Sequence, residues 1–307
     1  MKFLITGANG DIAKSICRVI KQNFKNIIID GTDIKLRKNN NSLYNKIFKV
    51  PSPKKKSYLN SIKKLSEDYR VLIPTTEDEI IFFSKYKYFL KKKVLINSKR
   101  IICIFSSKLN TFKYLKKKKF NVPKFCVKLN TIKKFEKPFF LKKDFGHGNK
   151  NYKIILSSKD FFFVKRLKTN WIAQEYLNKD YKEYTCGLIR LKNFCDVVIL
   201  ERKLKGGFTS YAKRVENKKI KKSLIRLAKT INLQGCINVQ LKYKKSRYAI
   251  FEINPRISST VLMRDMLNFK DCVWWINYFL FNKLPKRGYK ILNKSIIKIN
   301  GKEKFIR

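Results

Sequence analysis

The sequence predicts a mixed chain, α/β at the start and α+β after it. Three observations point there. Over the first hundred residues, short apolar runs alternate with helix-length stretches, the pattern of a small parallel sheet. From Trp171 onward strand-like runs dominate, interrupted by a helix. The composition, 44% hydrophobic and 14% aromatic over 307 residues, is that of a folded chain long enough for two or three small domains.

In order, Lys2–Thr6 is expected as a strand, Ile12–Asn23 as a helix and Asn26–Asp30 as a strand. Val71–Pro74 follows as a strand, then a helix from Glu77 and a strand at Val94–Ile96. A second unit begins near Ser106. Its helix, Asn110–Lys118, is ended by Asn121-Val122-Pro123. A strand at Phe139–Lys142 leads into the glycine-containing loop Phe145–Lys150 and a returning strand, Tyr152–Leu156. The third unit carries strands at Ile172–Tyr176, Tyr184–Arg190, Asp196–Arg202, Cys236–Tyr243 and Arg247–Ile253. Ile220–Thr230 is its helix, and the aromatic run Cys272–Phe281 reads as a late core helix. The lysine runs at 53–56, 91–93 and 116–119 read as solvated loops or helix faces.

The net charge of +52 would ordinarily suggest a nucleic acid or an anionic membrane. Its make-up argues otherwise. There are 59 lysines against 14 arginines, spread evenly among Asn, Ile and Phe. Nucleic-acid sites lean on arginine for bidentate contacts, so a bias toward A/T-rich codons explains the excess better. Seven cysteines, none closer than nine residues to another, form no metal or redox pair. They fit reduced thiols and a cytoplasmic location. No 18-residue apolar span is present, so no membrane helix is expected. His147 is the only histidine, which excludes Ser-His-Asp and multi-histidine metal chemistry.

The most informative stretch is Phe251-Glu252-Ile253-Asn254-Pro255-Arg256. In an extended strand, alternate side chains share a face. Glu252 and Asn254 therefore lie together, and Arg256 joins them if Pro255 does not turn the chain. Hard oxygens beside a guanidinium suit a Mg2+–polyphosphate complex. Gln240 would stand beside Glu252 if the strands around Lys244–Arg247 form a hairpin. Lys142 ends a buried strand, where its ammonium can reach phosphates as a point charge. The Gly146 and Gly148 amides can fold over the β- and γ-phosphates. Gln174-Glu175-Tyr176-Leu177 leads into a connector whose backbone could bind adenine, and Glu183 could accept from ribose hydroxyls. Arg202-Lys203 and the Gly206-Gly207-Phe208-Thr209 loop could hold an acceptor or the moving phosphate, or form a plain hairpin. Thr6-Gly7-Ala8-Asn9-Gly10-Asp11 resembles a dinucleotide turn, with Asp30 or Asp33 at ribose distance. With Ala13 in place of the third glycine, it reads better as a structural turn in a nucleotide-binding-like domain.

These residues together resemble the ATP-grasp superfamily, in particular its carbamoyl-phosphate-synthase-like branch. The resemblance covers nearly the whole chain, and Glu252-x-Asn254-Pro255-Arg256 is its most specific element. It implies a Rossmann-like pre-ATP-grasp domain over 1–105, a small ATP-grasp lobe over 106–170 and a large lobe over 171–307. It implies that Lys108 and Lys142 bind ATP phosphates, that Gly146 and Gly148 cover them, and that Glu175, Tyr176 and Leu177 form the adenine hinge. Glu183 would bind ribose, and Gln240, Glu252 and Asn254 would hold Mg2+ or Mn2+. Arg256, with Lys142 and Arg202, would serve phosphoryl transfer. Departures exist: Asn151 stands where the loop's usual glycine would be, and Lys143 replaces a frequent proline. The Glu175-to-Glu183 spacing is slightly long.

The expected function is an ATP-dependent ligase that activates a carboxylate as an acylphosphate for attack by an amine, forming ADP. Both substrates would be small molecules, and exposed aromatics near Trp274-Trp275 could serve a homodimer. Two other readings are an NAD(P)-dependent reductase or epimerase built on the first domain, and a basic nucleic-acid-binding protein. The reductase would need a Tyr-xxx-Lys pair, for which Tyr88/Lys92 and Tyr114/Lys118 have the spacing.

Overall fold

The computed structural model describes residues 1–36, 43–90, 94–128, 131–132, 134–145, 152–160, 171–286, 288–299 and 301–306. Strand β1 (Lys2–Thr6) is buried from Phe3 to Thr6 and runs into Gly7. Helix α1 (Asp11–Asn23) buries Ala13, Ile16, Cys17, Val19 and Ile20, the 3–4 spacing of a one-sided helix. Strands β2 (Ile28–Asp33), β3 (Ile47–Lys49) and β4 (Val71–Ile73) join β1 in a parallel sheet ordered β3-β2-β1-β4. Helix α2 (Ser57–Ser66) precedes β4, and α3 (Glu77–Tyr86) follows it. Beyond it, Val94 makes a single parallel bridge to Leu72, so the strand expected at Val94–Ile96 is reduced to one pairing. Helices α4 (Lys99–Phe105) and α5 (Lys108–Lys117) lead out of this unit.

A second sheet is antiparallel and ordered β5-β8-β6-β7, from Phe125–Cys126, Trp171–Glu175, Phe139–Lys143 and Tyr152–Ile155. Phe139 and Leu141 face its core, so Phe140 and Lys142 share the other face.

The third sheet has seven strands in the order β13-β12-β9-β10-β11-β14-β15. They are β9 (Lys182–Leu191), β10 (Phe194–Lys205), β11 (Phe208–Val215), β12 (Gly235–Lys244), β13 (Arg247–Asn254), β14 (Ser295–Ile299) and β15 (Lys302–Phe305). One face packs on helix α6 (Lys218–Thr230) through Ile220, Leu224 and Leu227. The opposite face shares a continuous core with α1, and with α7 (Val261–Met266) and α8 (Asp271–Phe281). Leu200, Ala212 and Ile296 of this sheet lie in the same cluster as Ile16 and Val19 of α1. The first unit is thus docked on the sheet through apolar contact.

Several elements exceed what the sequence suggested. Phe208–Val215 is a strand returning from the Gly206-Gly207 turn, and α2, α4, α7, β14 and β15 add to the expected set. Trp275 is buried, and Trp274 packs against Phe194, Phe269 and Tyr289. Both tryptophans thus pack on the core, while Phe279 and Phe281 of the same helix are exposed. Among the described residues, no helix is long and apolar enough to cross a membrane.

Candidate active site between the two antiparallel sheets

Glu252 and Gln240 are direct cross-strand partners on β13 and β12, and Asn254 opposes Asn238. The register shifts between Gln240 and Leu241, where Phe251 is the extra residue. This bulge lets Ile250 and Ile253, three apart, both face the α6 core. Glu252 and Asn254 are left on the other face, next to Phe251.

Side chains on that face form one connected chain of contacts. Gln240 Nε2 and Asn254 Nδ2 donate to Glu252 Oε1 at 3.2 and 2.8 Å. Arg202 Nη2 donates to Gln240 Oε1 at 2.6 Å and to Glu183 Oε1 at 2.7 Å, and its Nε adds a bond to Glu183 at 3.0 Å. Lys242 pairs with the other Glu183 oxygen at 3.0 Å. Burial alone would raise the Glu183 carboxyl, but Arg202 and Lys242 outweigh it and hold its pKa low. Arg256 closes the chain, although by another route than a continued strand. The backbone turns at Pro255, with Arg256 N–H donating to Asn254 O at 2.8 Å. The guanidinium then reaches back to Asn254 Oδ1 at 3.3 Å. Burial lowers its pKa, and Glu252 and Glu77 oppose that shift.

Lys142 approaches from the other sheet. Its Nζ donates to Gln174 Oε1 at 3.2 Å and lies 4.8 Å from the Phe140 ring centre. It is also 5.6 Å from the ring of Phe251, the neighbour of Glu252. Burial pulls its pKa down to about 8, opposed by Glu252. Lys108, at the start of α5, bonds the Asp144 carbonyl through Nζ at 3.2 Å and lowers the Lys142 pKa further. The structure thus brings Lys108, Lys142, Glu183, Arg202, Gln240, Glu252, Asn254 and Arg256 into one electrostatically linked group.

Glu175 stands at the end of β8, and the chain then runs without regular structure through Tyr176 and Leu177. The Glu175 carboxylate accepts from the Lys124 N–H at 2.9 Å and from Arg247 at 3.2 Å, so it fastens the connector. Tyr176 packs 4.9 Å from Phe140, on the Lys142 side of the sheet, and Leu177 is buried. Gly146 and Gly148 lie outside the described residues.

Three participants were missed by sequence reasoning: Gln174 as the lysine's partner, Lys242 as the second cation on Glu183, and Asp144 at the α5 start. Lys242 was within reach, because it stands two residues from Gln240 on the same strand face.

The donor set suits Mg2+. Glu252 Oε2 has no hydrogen bond among the described residues. The Gln240 and Asn254 amides stand next to that carboxylate, each one half-turn from presenting its oxygen. One carboxylate and two neutral amides hold Mg2+ weakly alone, since this ion relies on phosphate oxygens to complete its shell.

The glycine turn of the first unit packs closely on its neighbours. Tyr69 donates to Asp30 at 2.5 Å, and the Asn9 and Lys35 N–H groups donate to Asp33 at 2.9 and 3.2 Å. Asp33 uses both oxygens, whereas Asp30 Oδ1 is buried without a partner among the described residues. Gly7, at φ +63°, packs so tightly on Thr75 and Thr76 that a Cβ would sit 2.7 Å from Thr76. Tyr114 packs against the core beneath the large sheet, while Lys92 lies outside the described residues.

A family model described as the ATP-grasp domain matches residues 105–260. No curated protein sequence matches. Among solved structures, N5-carboxyaminoimidazole synthetase from Staphylococcus aureus, complexed with ADP, is similar with a TM-score of 0.76 at 15% identity. That match covers 97% of this chain and 82% of the other. Biotin carboxylase from Campylobacter jejuni matches with a TM-score of 0.72 at 16% identity, over 96% and 74%. L-amino acid ligase from Bacillus licheniformis matches with a TM-score of 0.76 at 13% identity, over 96% and 78%. The chain belongs to the ATP-grasp family.

Proposed function

We propose that this protein uses ATP and Mg2+ to convert a small-molecule carboxylate into an acylphosphate, which an amine then attacks to give an amide, ADP and phosphate. One observation carries the reading. A buried lysine from one sheet, Lys142, meets the Glu252 edge of another sheet across the Phe251 ring. A cation and a carboxylate from separate sheets are thereby brought near each other, which supports a nucleotide gripped between two lobes.

In this reading the lobes are 106–170 and 171–307, with 1–105 as the preceding domain. Lys108 and Lys142 hold the polyphosphate. Glu175, Tyr176 and Leu177 line the adenine, and Glu183 faces the ribose while Arg202 and Lys242 fix its position. Gln240, Glu252 and Asn254 would hold Mg2+, which when bound offsets the negative charge of the β- and γ-phosphates. Arg256 stabilises charge on the moving phosphoryl group as it passes to the substrate carboxylate oxygen and ADP leaves. The amine nitrogen then bonds to the acyl carbon and phosphate leaves. Catalysis by position and charge needs no histidine base. Arg202 acts through Glu183 and Gln240, so it is a positioning residue.

The test is ADP release from Mg2+–ATP across a panel of carboxylates and amines. Lys142→Ala should reduce turnover by at least ~2.7 kcal/mol of transition-state stabilisation, roughly a hundredfold. Full ATP turnover in that variant would refute the assignment.

A further inference from the structure

A second guanidinium is buried behind the site, outside the linked group described above. Arg264, on α7, is 1% exposed. Its Nε and Nη2 meet Asp271 Oδ2 at 3.0 and 2.9 Å. Its Nη1 donates to Ser258 Oγ and to Thr260 Oγ1, both at 2.7 Å, and the two hydroxyls bond each other at 2.9 Å. Thr260 is the cap residue of α7, yet its hydroxyl makes no bond to the helix's first N–H groups. A capping hydroxyl ordinarily accepts one of them; here it is turned to Arg264. The large sheet leaves room for this side chain. Gly187 on β9 lies so close that a Cβ would sit 2.6 Å from Arg264 Cδ and Nε. Replacing a buried ion pair by apolar groups of the same volume is often neutral or stabilising, so stability alone does not account for the arrangement.

Its geometry leads to Arg256. Arg256 Nη1 donates to the Ile257 carbonyl at 3.1 Å. That carbonyl belongs to the peptide unit that ends on Ser258, the residue Arg264 holds. A peptide unit is planar, so fixing Ser258 restricts where the Ile257 oxygen points. One peptide link therefore carries Arg256 on its carbonyl and Arg264 on the residue that follows. Both guanidinium groups also rest on one cross-strand row. Gly187 opposes Asn238, Asn238 opposes Asn254, and Arg256 Nη2 reaches Asn254 Oδ1 at 3.3 Å. Two strand spacings put Gly187 about 10 Å from Asn254. Residues 255–260 form neither helix nor strand. They make a strap between that row and α7, fastened at Asn254 through Arg256 and over Gly187 through Arg264.

Resting on the ligase reading, we infer that Arg264 is a positioning residue for phosphoryl transfer. By gripping Ser258 and Thr260 it fixes the Ile257–Ser258 peptide, and through that peptide it holds the Arg256 guanidinium beside Asn254.

The test removes the hydroxyls and leaves Arg264 in place, because its loss would strand Asp271 in the core. NMR of isotope-labelled arginine gives a readout that needs no substrate: the Nε–H resonance of Arg256, identified by its loss in Arg256→Lys. Ser258→Ala and Thr260→Val should each move that resonance. Thr260→Ser keeps the hydroxyl and should leave it where it is. In ADP release from Mg2+–ATP, the two hydroxyl-removing variants should lower kcat about tenfold, as a misplacement of ~1 Å can cost up to a hundredfold. Their ATP affinity should not change, because Lys142 and Glu175 sit on the other sheet, and Thr260→Ser should restore kcat. In an Arg256→Ala background, Ser258→Ala should lower kcat no further, since a residue that acts through Arg256 has nothing left to place. The inference is overturned by a resonance unmoved in both hydroxyl variants, by an unchanged kcat, or by losses that multiply in the double variant. Thr260→Ser behaving like Thr260→Val overturns it too. If Ser258→Ala does not fold, the two Thr260 variants make the same comparison. If the natural chain releases no ADP with any carboxylate and amine, the ligase reading falls, and the resonance still decides whether Arg264 holds Arg256.

Discussion

Lys142 holds its proton against the cost of burial, which brings its pKa to about 8, opposed by Glu252 and helped by Lys108. Burial thus brings the neutral form of Lys142 within reach of mildly alkaline pH in the free protein. Polyphosphate favours the ammonium and raises the pKa in the complex. Between pH 8 and that higher value, nucleotide binding must take up a proton, and affinity should fall by up to tenfold per pH unit as pH rises. Well below pH 8 this group adds no pH dependence. Folding has its own sign. The native pKa lies below the unfolded lysine value of about 10.4, so the unfolded state binds more protons between about pH 8 and 10.4. Stability from this residue thus rises with pH through that window. Calorimetry of nucleotide binding at pH 8.5, in two buffers with different ionisation heats, should show proton uptake that vanishes at pH 6.5 and in Lys142→Met. A binding heat independent of buffer at pH 8.5 would remove the lysine from the phosphate site.

Helix α5 owes its position to a side chain from another element. Ser107 caps it, accepting the Asn110 N–H at 3.0 Å, and Asp144 beyond β6 accepts the Leu109 N–H at 2.9 Å. Ser107 donates to the same carboxylate at 2.9 Å. The acid thus satisfies two donors and faces the positive end of the helix. Asp144→Ala should lower stability by about 1–3 kcal/mol, the cost of stranding buried donors. Asp144→Asn keeps one acceptor oxygen and should lose less. Calorimetric melting of both variants checks the order; an Asn variant as unstable as the Ala variant would mean that the charge, not the hydrogen bonds, matters. Nothing in the local sequence pairs Asp144 with Ser107, since they stand 37 residues apart. The same limit governed the rest of the reading. Strand β1 and the alternation of Glu252 with Asn254 were legible because one buried face imposes a period of two. The Phe251 bulge was not, because an extra residue leaves no mark on an apolar pattern. Strands β14 and β15 and helix α2 escaped because lysine fills exposed positions of strands, helices and loops alike, blurring the contrast that defines a period. Gln174 could be placed near a hinge but not beneath Lys142, as that contact exists only after two strands pair.

At the scale of the molecule, the first unit and the large sheet meet at a buried polar joint as well as in a shared core. Asn97 is 1% exposed and donates from Nδ2 to the Cys236 carbonyl at 2.7 Å and the Pro255 carbonyl at 3.0 Å. The second bond fixes the turn from which Arg256 reaches back to Asn254. Gly235 makes the close approach possible. At φ +153° it brings the backbone so near that a Cβ would lie 2.6 Å from Trp275 and 2.7 Å from Asn97 Oδ1. Asn97→Ala strands two carbonyls, each worth about 1–3 kcal/mol when unpaired, and frees the Pro255 turn. It should therefore lower the melting temperature and reduce kcat more than it weakens ATP binding, because Lys142 and Glu175 sit on the other sheet. Gly235→Ala should act in the same direction, through displacement of Trp275 and Asn97. Melting curves paired with separate kcat and nucleotide-affinity measurements decide the point. A variant that melts earlier yet keeps its kcat would show that the joint supports the fold alone, and that Arg256 finds its place without it.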